Sequence, residues 1–337
     1  MPLDLALTQT GDSGAVPHAW RGPLLRLALA WAALVALAWR DWAEMARQWW
    51  DASTYNHILL IPPILAWLVR MRWPELARLP PRAWWPGFAW LGLGLTAWLA
   101  GSMADVNLVG QFGAVMLLQA AVGVLLGPRV AAALLFPLGY MLFLVPFGDE
   151  IIPALQAITA RIAIALTHWS GVPAEIDGVF IDTPAGLFKV AEACSGVKFL
   201  VAMVALGTLV AHLCFAGWKR RAAFMAAAVI VPVLANGVRA WGTIYVAQSQ
   251  GIEFAAGFDH IVYGWIFFAV VMALLLGVSW RFFDRSPDAP LLDVAAIEAS
   301  PRLDRLARFG MSGWVAVAAL GLLATVAAWM DRAASLP

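Results

Sequence analysis

Runs of about twenty apolar residues, separated by short polar or charged connections, recur along the chain. A helix rising about 1.5 Å per residue needs about 20 such residues to cross a 30 Å hydrocarbon core. The pattern predicts spans near residues 24 to 40, 55 to 69, 85 to 101, 108 to 126 and 130 to 146. Further spans are expected near 195 to 217, 222 to 246, 260 to 280 and 311 to 330. Lys and Arg counts in the connections give the orientation. With Arg21 cytoplasmic, fourteen basic residues share its side, including Arg70, Arg78, Arg82, Arg129 and Lys219 to Arg221. Five face outward: Arg40, Arg47, Arg161, Lys189 and Arg332. Segments 41 to 54, 102 to 107, 147 to 194 and 247 to 259 then lie outside.

Two stretches depart from the spanning pattern. Residues 151 to 170 are apolar but hold Pro153, Gln156, Thr159, Arg161 and His168. They read as an amphipathic helix lying on the outer surface, since a further crossing there would carry Lys219 to Arg221 outside. After it, Val179 to Asp182 and Leu187 to Val190 are short β-prone runs around Thr183 to Gly186, the pattern of a hairpin. The fold class expected is therefore an all-α polytopic membrane protein of eight or nine spans. A small extracytoplasmic helix and hairpin precede the span that begins near Cys194.

Composition strengthens this picture. Hydrophobic residues make up 62% of the 337, charged residues 13%, and mean hydropathy is +0.78, so a water-soluble core cannot hide the apolar surface. Tryptophans such as Trp49, Trp50, Trp84, Trp85 and Trp241 fall beside apolar segments, where indole rings favour the membrane boundary. A net charge of +1 and the absence of a basic patch or Gly-rich phosphate loop give no reason to expect a nucleic-acid partner. Residues 1 to 20 are too polar for a cleavable signal, so the first span is expected to act as an uncleaved anchor. Two cysteines exclude a disulfide framework.

Candidate chemistry gathers on the outward side. Cys194, in Ala191-Glu192-Ala193-Cys194-Ser195-Gly196, stands just before an apolar helix whose unpaired N–H groups and positive dipole end favour a thiolate. Cys214 reads as a small buried residue, roughly 30 Å away along the same helix. Arg239 lies inside the apolar stretch 222 to 246, where a guanidinium costs about 2.5 to 3.5 kcal/mol at the centre of a span and less near an interface. It is a functional candidate or a snorkelling cation, and Asn236 could share its face. His260 opens the eighth span and His57 the second, so either histidine could serve as a base. No pair of histidines has ligand spacing, and neither a metal nor a cofactor is implied.

At these residues the sequence resembles the exosortase family, membrane cysteine enzymes that process proteins carrying a C-terminal PEP-CTERM sorting signal. The matching pieces are Ala191 to Gly196, Ala235-Asn236-Gly237-Val238-Arg239, His260 with Tyr263 and Gly264, and Tyr55-Asn56-His57 leading into Ile61-Pro62-Pro63. Pro146-Phe147-Gly148-Asp149-Glu150 resembles the exosortase A subgroup. The resemblance implies a triad of Cys194 as nucleophile, Arg239 as oxyanion stabiliser and His260 as general acid and base. Glu192, Asn236, His57 and Tyr263 are supporting candidates. It further implies a multi-pass protein of the bacterial inner membrane with its site at the periplasmic face. The substrates implied are membrane-anchored PEP-CTERM proteins, with a link to exopolysaccharide production and an associated periplasmic protein as a further partner. The divisions expected are a cytoplasmic segment 1–23, a membrane domain 24–282, a cytoplasmic linker 283–310, and a last span with an outward tail 311–337. Ile58 departs from the glycine usual after the histidine of the N-terminal motif. Some members continue into a fused periplasmic domain after the last span, whereas this sequence ends at Pro337. The competing reading is a transporter or flippase for lipid-linked glycan with Arg239 as an anion site. Such a protein should show paired repeats or broken helices.

Overall fold

The computed structural model describes residues 16–253, 264–285 and 293–334. Along the chain these form α1 (His18–Leu37), α2 (Trp39–Asp51), α3 (Ile61–Leu76), α4 (Phe88–Ala104), α5 (Asn107–Leu126), α6 (Pro128–Ala133), α7 (Leu135–Tyr140) and α8 (Ile152–Trp169). Three strands follow, β1 (Glu175–Asp177), β2 (Phe180–Thr183) and β3 (Gly186–Lys189). Then come α9 (Val197–Cys214), α10 (Trp218–Gln250), α11 (Gly264–Trp280), α12 (Val294–Glu298), α13 (Pro301–Ala307) and α14 (Gly313–Ala334). Among the described residues, seven helices are long and apolar enough to cross a membrane, or eight if the bent pair α2–α3 is one span. The protein is an all-α polytopic membrane protein with one small sheet.

Two compact units divide the chain. One gathers α1, most of α2, α3 to α7 and α12 to α14; the other gathers residues 48–57, α8, the sheet and α9 to α11. In the first unit α4 and α5 pack backbone to backbone. A Cβ on Gly101 would stand 2.2 Å from the Gly110 nitrogen, and one on Gly113 2.4 Å from the Trp98 nitrogen, so small residues set this interface. The fifth expected span, 130 to 146, is not a continuous helix. It divides into the six-residue helices α6 and α7 and a 3₁₀ turn at Met141–Leu144, because the Pro137 ring crowds the carbonyl four residues earlier, at Ala133.

The second unit is built on α10, a helix of 33 residues and so about 50 Å long, well beyond a 30 Å hydrocarbon core. About 30 Å separate its basic start at Lys219 from Arg239. The rest of α10, which continues past the expected end at residue 246, runs alongside the sheet, and Gln248 Nε2 donates to Thr183 Oγ1 at 3.2 Å. Helix α8 runs beside α10 in the same direction: Asn236 meets Thr159, Gly237 meets Ile162 and Trp241 bonds Ser170. A Cβ on Gly237 would fall 2.4 Å from Ile162 Cγ2, so glycine is what lets the two helices close.

The sequence suggested a helix lying on the surface; α8 with its leading turn is a 21-residue apolar helix, and it runs beside the end of α10 from Asn236 to Trp241, past the part of α10 that a hydrocarbon core would take up. Its Leu155 is buried with Val197, Leu200 and Val201, and Ile152 packs on the same cluster, so its inner face is covered by α9 and α10. The hairpin forms as β2 and β3, antiparallel with Thr183 opposite Gly186, and β1 adds a third strand on the far side of β2. Ile181, Val190, Ala160, Ala163, Ile164 and Ile244 form the core that joins the sheet to α8 and α10.

Candidate active site

The turn that carries Cys194 is fixed from three directions. Glu192–Cys194 form a single 3₁₀ turn, and Gly196 follows in the left-handed region at φ 84°. A Cβ there would also come 2.7 Å from Asn236 Cγ, so both conformation and space require glycine. Asn236 Nδ2 donates to the Cys194 carbonyl at 2.8 Å and to Thr159 Oγ1 at 3.0 Å. The Thr159 hydroxyl in turn faces the Ser195 carbonyl at 3.5 Å. Gln156 Nε2 donates to the Val190 carbonyl at 2.8 Å, tying the end of the sheet to α8. Ser195 Oγ accepts the N–H of Val197, the first residue of α9, at 3.3 Å.

Cys194 opens on a cleft between the sheet and α10. Phe188, Lys189 and Val190 line one side, and Asn236, Arg239 and Thr243 the other. Arg239 is 9% exposed, and its guanidinium carbon lies 3.4 Å from the place a Cβ on Gly264 would take, so the start of α11 packs directly on it. Lys198, in the first turn of α9, is near enough to Arg239 for the two positive charges to repel. Arg239 and Asn236 also border a smaller crevice lined by Phe199, Pro232, Phe267 and Phe268. Among the described residues, the charged group on the Cys194 cleft is the Arg239 guanidinium, which suits a carboxylate or a developing oxyanion.

The backbone donors next to the thiol are already engaged. The Cys194 N–H donates to the Ala191 carbonyl at 2.9 Å and the Ser195 N–H to the Glu192 carbonyl at 3.0 Å. An oxygen that gains charge beside Cys194 therefore meets side-chain donors, with Arg239 the one on the same cleft.

Cys194, Asn236 and Arg239 line one cleft. Glu192 is exposed in the turn and is not part of the cleft lining. His57 sits in a 3₁₀ turn with Nδ1 3.1 Å from the Thr54 carbonyl and is also outside the lining. Its neighbour Tyr55 is buried, close to Asp149 and Glu150. His260 and Tyr263 lie outside the described residues. Sequence reading gave no site role to Thr159, Gln156 or Lys198. The first two were visible as a polar pair three residues apart on an otherwise apolar helix.

No curated protein and no solved structure matches the chain. The family model for the transmembrane exosortases matches residues 49–277, about two-thirds of the sequence, a range that takes in His57, Cys194, Asn236, Arg239 and His260. The chain belongs to the transmembrane exosortase family.

Proposed function

We propose that this exosortase is a cysteine protease or transpeptidase of the bacterial inner membrane, working at the periplasmic face on exported proteins that end in a PEP-CTERM sorting signal. The observation that carries the proposal is the single cleft shared by Cys194 and Arg239, with Asn236 fixing the Cys194 carbonyl between them. The thiolate adds to a peptide carbonyl carbon, and the oxygen takes the negative charge opposite the Arg239 guanidinium. His260, holding the proton taken from the thiol, gives it to the leaving amine as the C–N bond breaks. A thioester remains on Cys194. Water or an amine then attacks that carbonyl, passes its proton to His260 and releases the thiolate. Processing of surface proteins in this way would connect the enzyme to exopolysaccharide production.

The test is mass spectrometry of the full chain incubated with a reporter protein ending in a PEP-CTERM signal. A thioester on the Cys194 peptide is expected. Processing of the reporter by a Cys194→Ala variant would sink the covalent mechanism.

A further inference from the structure

Backbone pairing in the sheet determines which strand edge is left open. In an antiparallel pair, residues that exchange N–H and C=O bonds alternate with residues whose groups point to the opposite edge. The Val190 N–H donates to the Val179 carbonyl at 2.9 Å, which makes 179 and 190 a bonded pair. With Ile181 opposite Phe188 and Thr183 opposite Gly186, those pairs are bonded as well. The N–H and C=O of Leu187 and Lys189 therefore point away from β2. The Lys189 carbonyl is taken by the Ala191 N–H at 2.9 Å. Among the described residues, the Leu187 N–H, the Leu187 C=O and the Lys189 N–H have no partner. The same alternation leaves Ile176 as the residue whose groups face outward on the other edge, at β1.

The two edges differ in what they border. Strand β1 contributes nothing to the cleft, whereas Phe188, Lys189 and Val190 line it together with Cys194. The Lys189 ammonium stands over the Phe180 ring, 5.7 Å from its centroid, on the face opposite Ile181 and Phe188. What Lys189 offers the cleft is main chain and the base of its side chain.

We propose that the β3 edge binds the substrate polypeptide as an added strand and so delivers its scissile carbonyl to Cys194. The inference rests on the reading of Cys194 as a nucleophile toward a peptide carbonyl. An extended polypeptide is the ligand that matches donors and acceptors spaced along a strand, and it needs no particular sequence to do so. Its side chains alternate faces, so every second one meets the apolar wall of Phe188, Val190 and Ile181 while the others face water. Recognition is by main chain along β3, and chemistry occurs where the strand ends at the Cys194 turn.

Proline on an edge strand removes an outward N–H and leaves the ladder to its neighbour intact. In the full chain, Leu187→Pro should therefore cut processing of the PEP-CTERM reporter by about tenfold or more, the scale of one lost hydrogen bond with its unpaired partner. Ile176→Pro, on the far edge, should process like wild type, and both variants should keep the wild-type rate of Cys194 alkylation by iodoacetamide. Normal processing by Leu187→Pro overturns the added strand. Should Leu187→Pro lose alkylation as well, synthetic peptides spanning the sorting signal and N-methylated at one backbone amide at a time decide the matter on the wild-type chain. Losses at alternate amides support strand addition, and losses without alternation, or none, overturn it. Failure of the underlying reading looks different, since Cys194→Ala would then still process the reporter whatever Leu187 does.

Discussion

The two cysteines sit at opposite ends of one helix and are both half-buried, yet their surroundings differ in kind. At the start of α9, Cys194 opens on a cleft bordered by Arg239, and its turn is held by side chains from α8 and α10. At the end of α9, Cys214 packs on the apolar cluster that holds Ala211, Phe215, Phe224 and Leu275. The carbonyls there are engaged: that of Cys214 accepts the N–H groups of Asp284 and Arg285, and that of His212 accepts from the Arg285 guanidinium at 2.8 Å. The Ala216 N–H, donating to Asp284 at 2.7 Å, holds that carboxylate below the usual range, with Arg220 3.3 Å away adding to the effect. Exposure does not separate the two thiols. One end of the helix directs its polarity into a space for ligand, and the other is closed by the protein's own groups.

The strongest way to break this comparison is to remove each thiol. Cys194→Ala and Cys194→Ser should abolish processing of a PEP-CTERM reporter while the protein stays inserted and abundant, and Cys214→Ala should match wild type. Equal losses at both positions, read by immunoblot of reporter and enzyme, would mean that helix end does not matter.

A somewhat smaller effect tests the cation. Arg239→Lys keeps the charge but loses the planar fork, and it should lower turnover by roughly 100-fold or more, the scale of one lost oxyanion donor. A snorkelling arginine would tolerate lysine. His260→Ala should match the loss of Cys194→Ala, because groups acting as a unit fail together, while His57→Ala should cost less. Activity of the single variants decides the base: an inactive His57→Ala beside an active His260→Ala would transfer that role to His57.

Apolar runs made most of the spans legible, since lipid leaves a helix no other place for twenty apolar residues. The sequence placed a span at 130 to 146 and a surface helix at 151 to 170; Pro137 breaks the first into short helices, and the second packs beside the end of α10 from Asn236 onward. Helix α10 runs on past the expected span through Ala247 to Gln250, which are mostly polar, because a helix leaving lipid no longer needs apolar side chains. Cys194 and Arg239 stood out because each is costly or reactive where it lies. Thr159 and Gln156 did not, because their partners Asn236 and Val190 are 77 and 34 residues away, and a polar side chain on an apolar helix does not name its partner.

The glycines flanking α9 sharpen the comparison at a third level. Gly196→Ala places a Cβ in the left-handed region, costing about 1–2 kcal/mol, and drives it into Asn236. Processing should fall roughly tenfold or more with little change in abundance, because the disturbed turn is the one that positions Cys194. Gly217, beyond the other end, has φ −78° and only Asp284 Oδ2 at 3.7 Å from an added Cβ, so Gly217→Ala should be tolerated. A tolerated Gly196→Ala would show that the Asn236 contact is slack.

The smallest expected difference is also the most direct reading of the two helix ends. A helix terminus changes the stability of a nearby charge by about 0.3–1 kcal/mol, favouring an anion at the start and disfavouring it at the end. Iodoacetamide reacts with thiolates, is uncharged and small, and reaches half-buried sites. Timed alkylation of the full chain in detergent, followed by peptide mapping, should modify Cys194 before Cys214 by a factor of roughly three to thirty from the two helix ends together, and by more where Arg239 adds to it. Denatured chain is the control, and there the two rates should converge. Arg239→Lys separates the contributions, since a retained charge should preserve most of the rate advantage even as turnover falls. If Cys214 reacts as fast as Cys194 in the folded protein, the polarity of α9 gives the thiol no help and the burden of activation falls on His260.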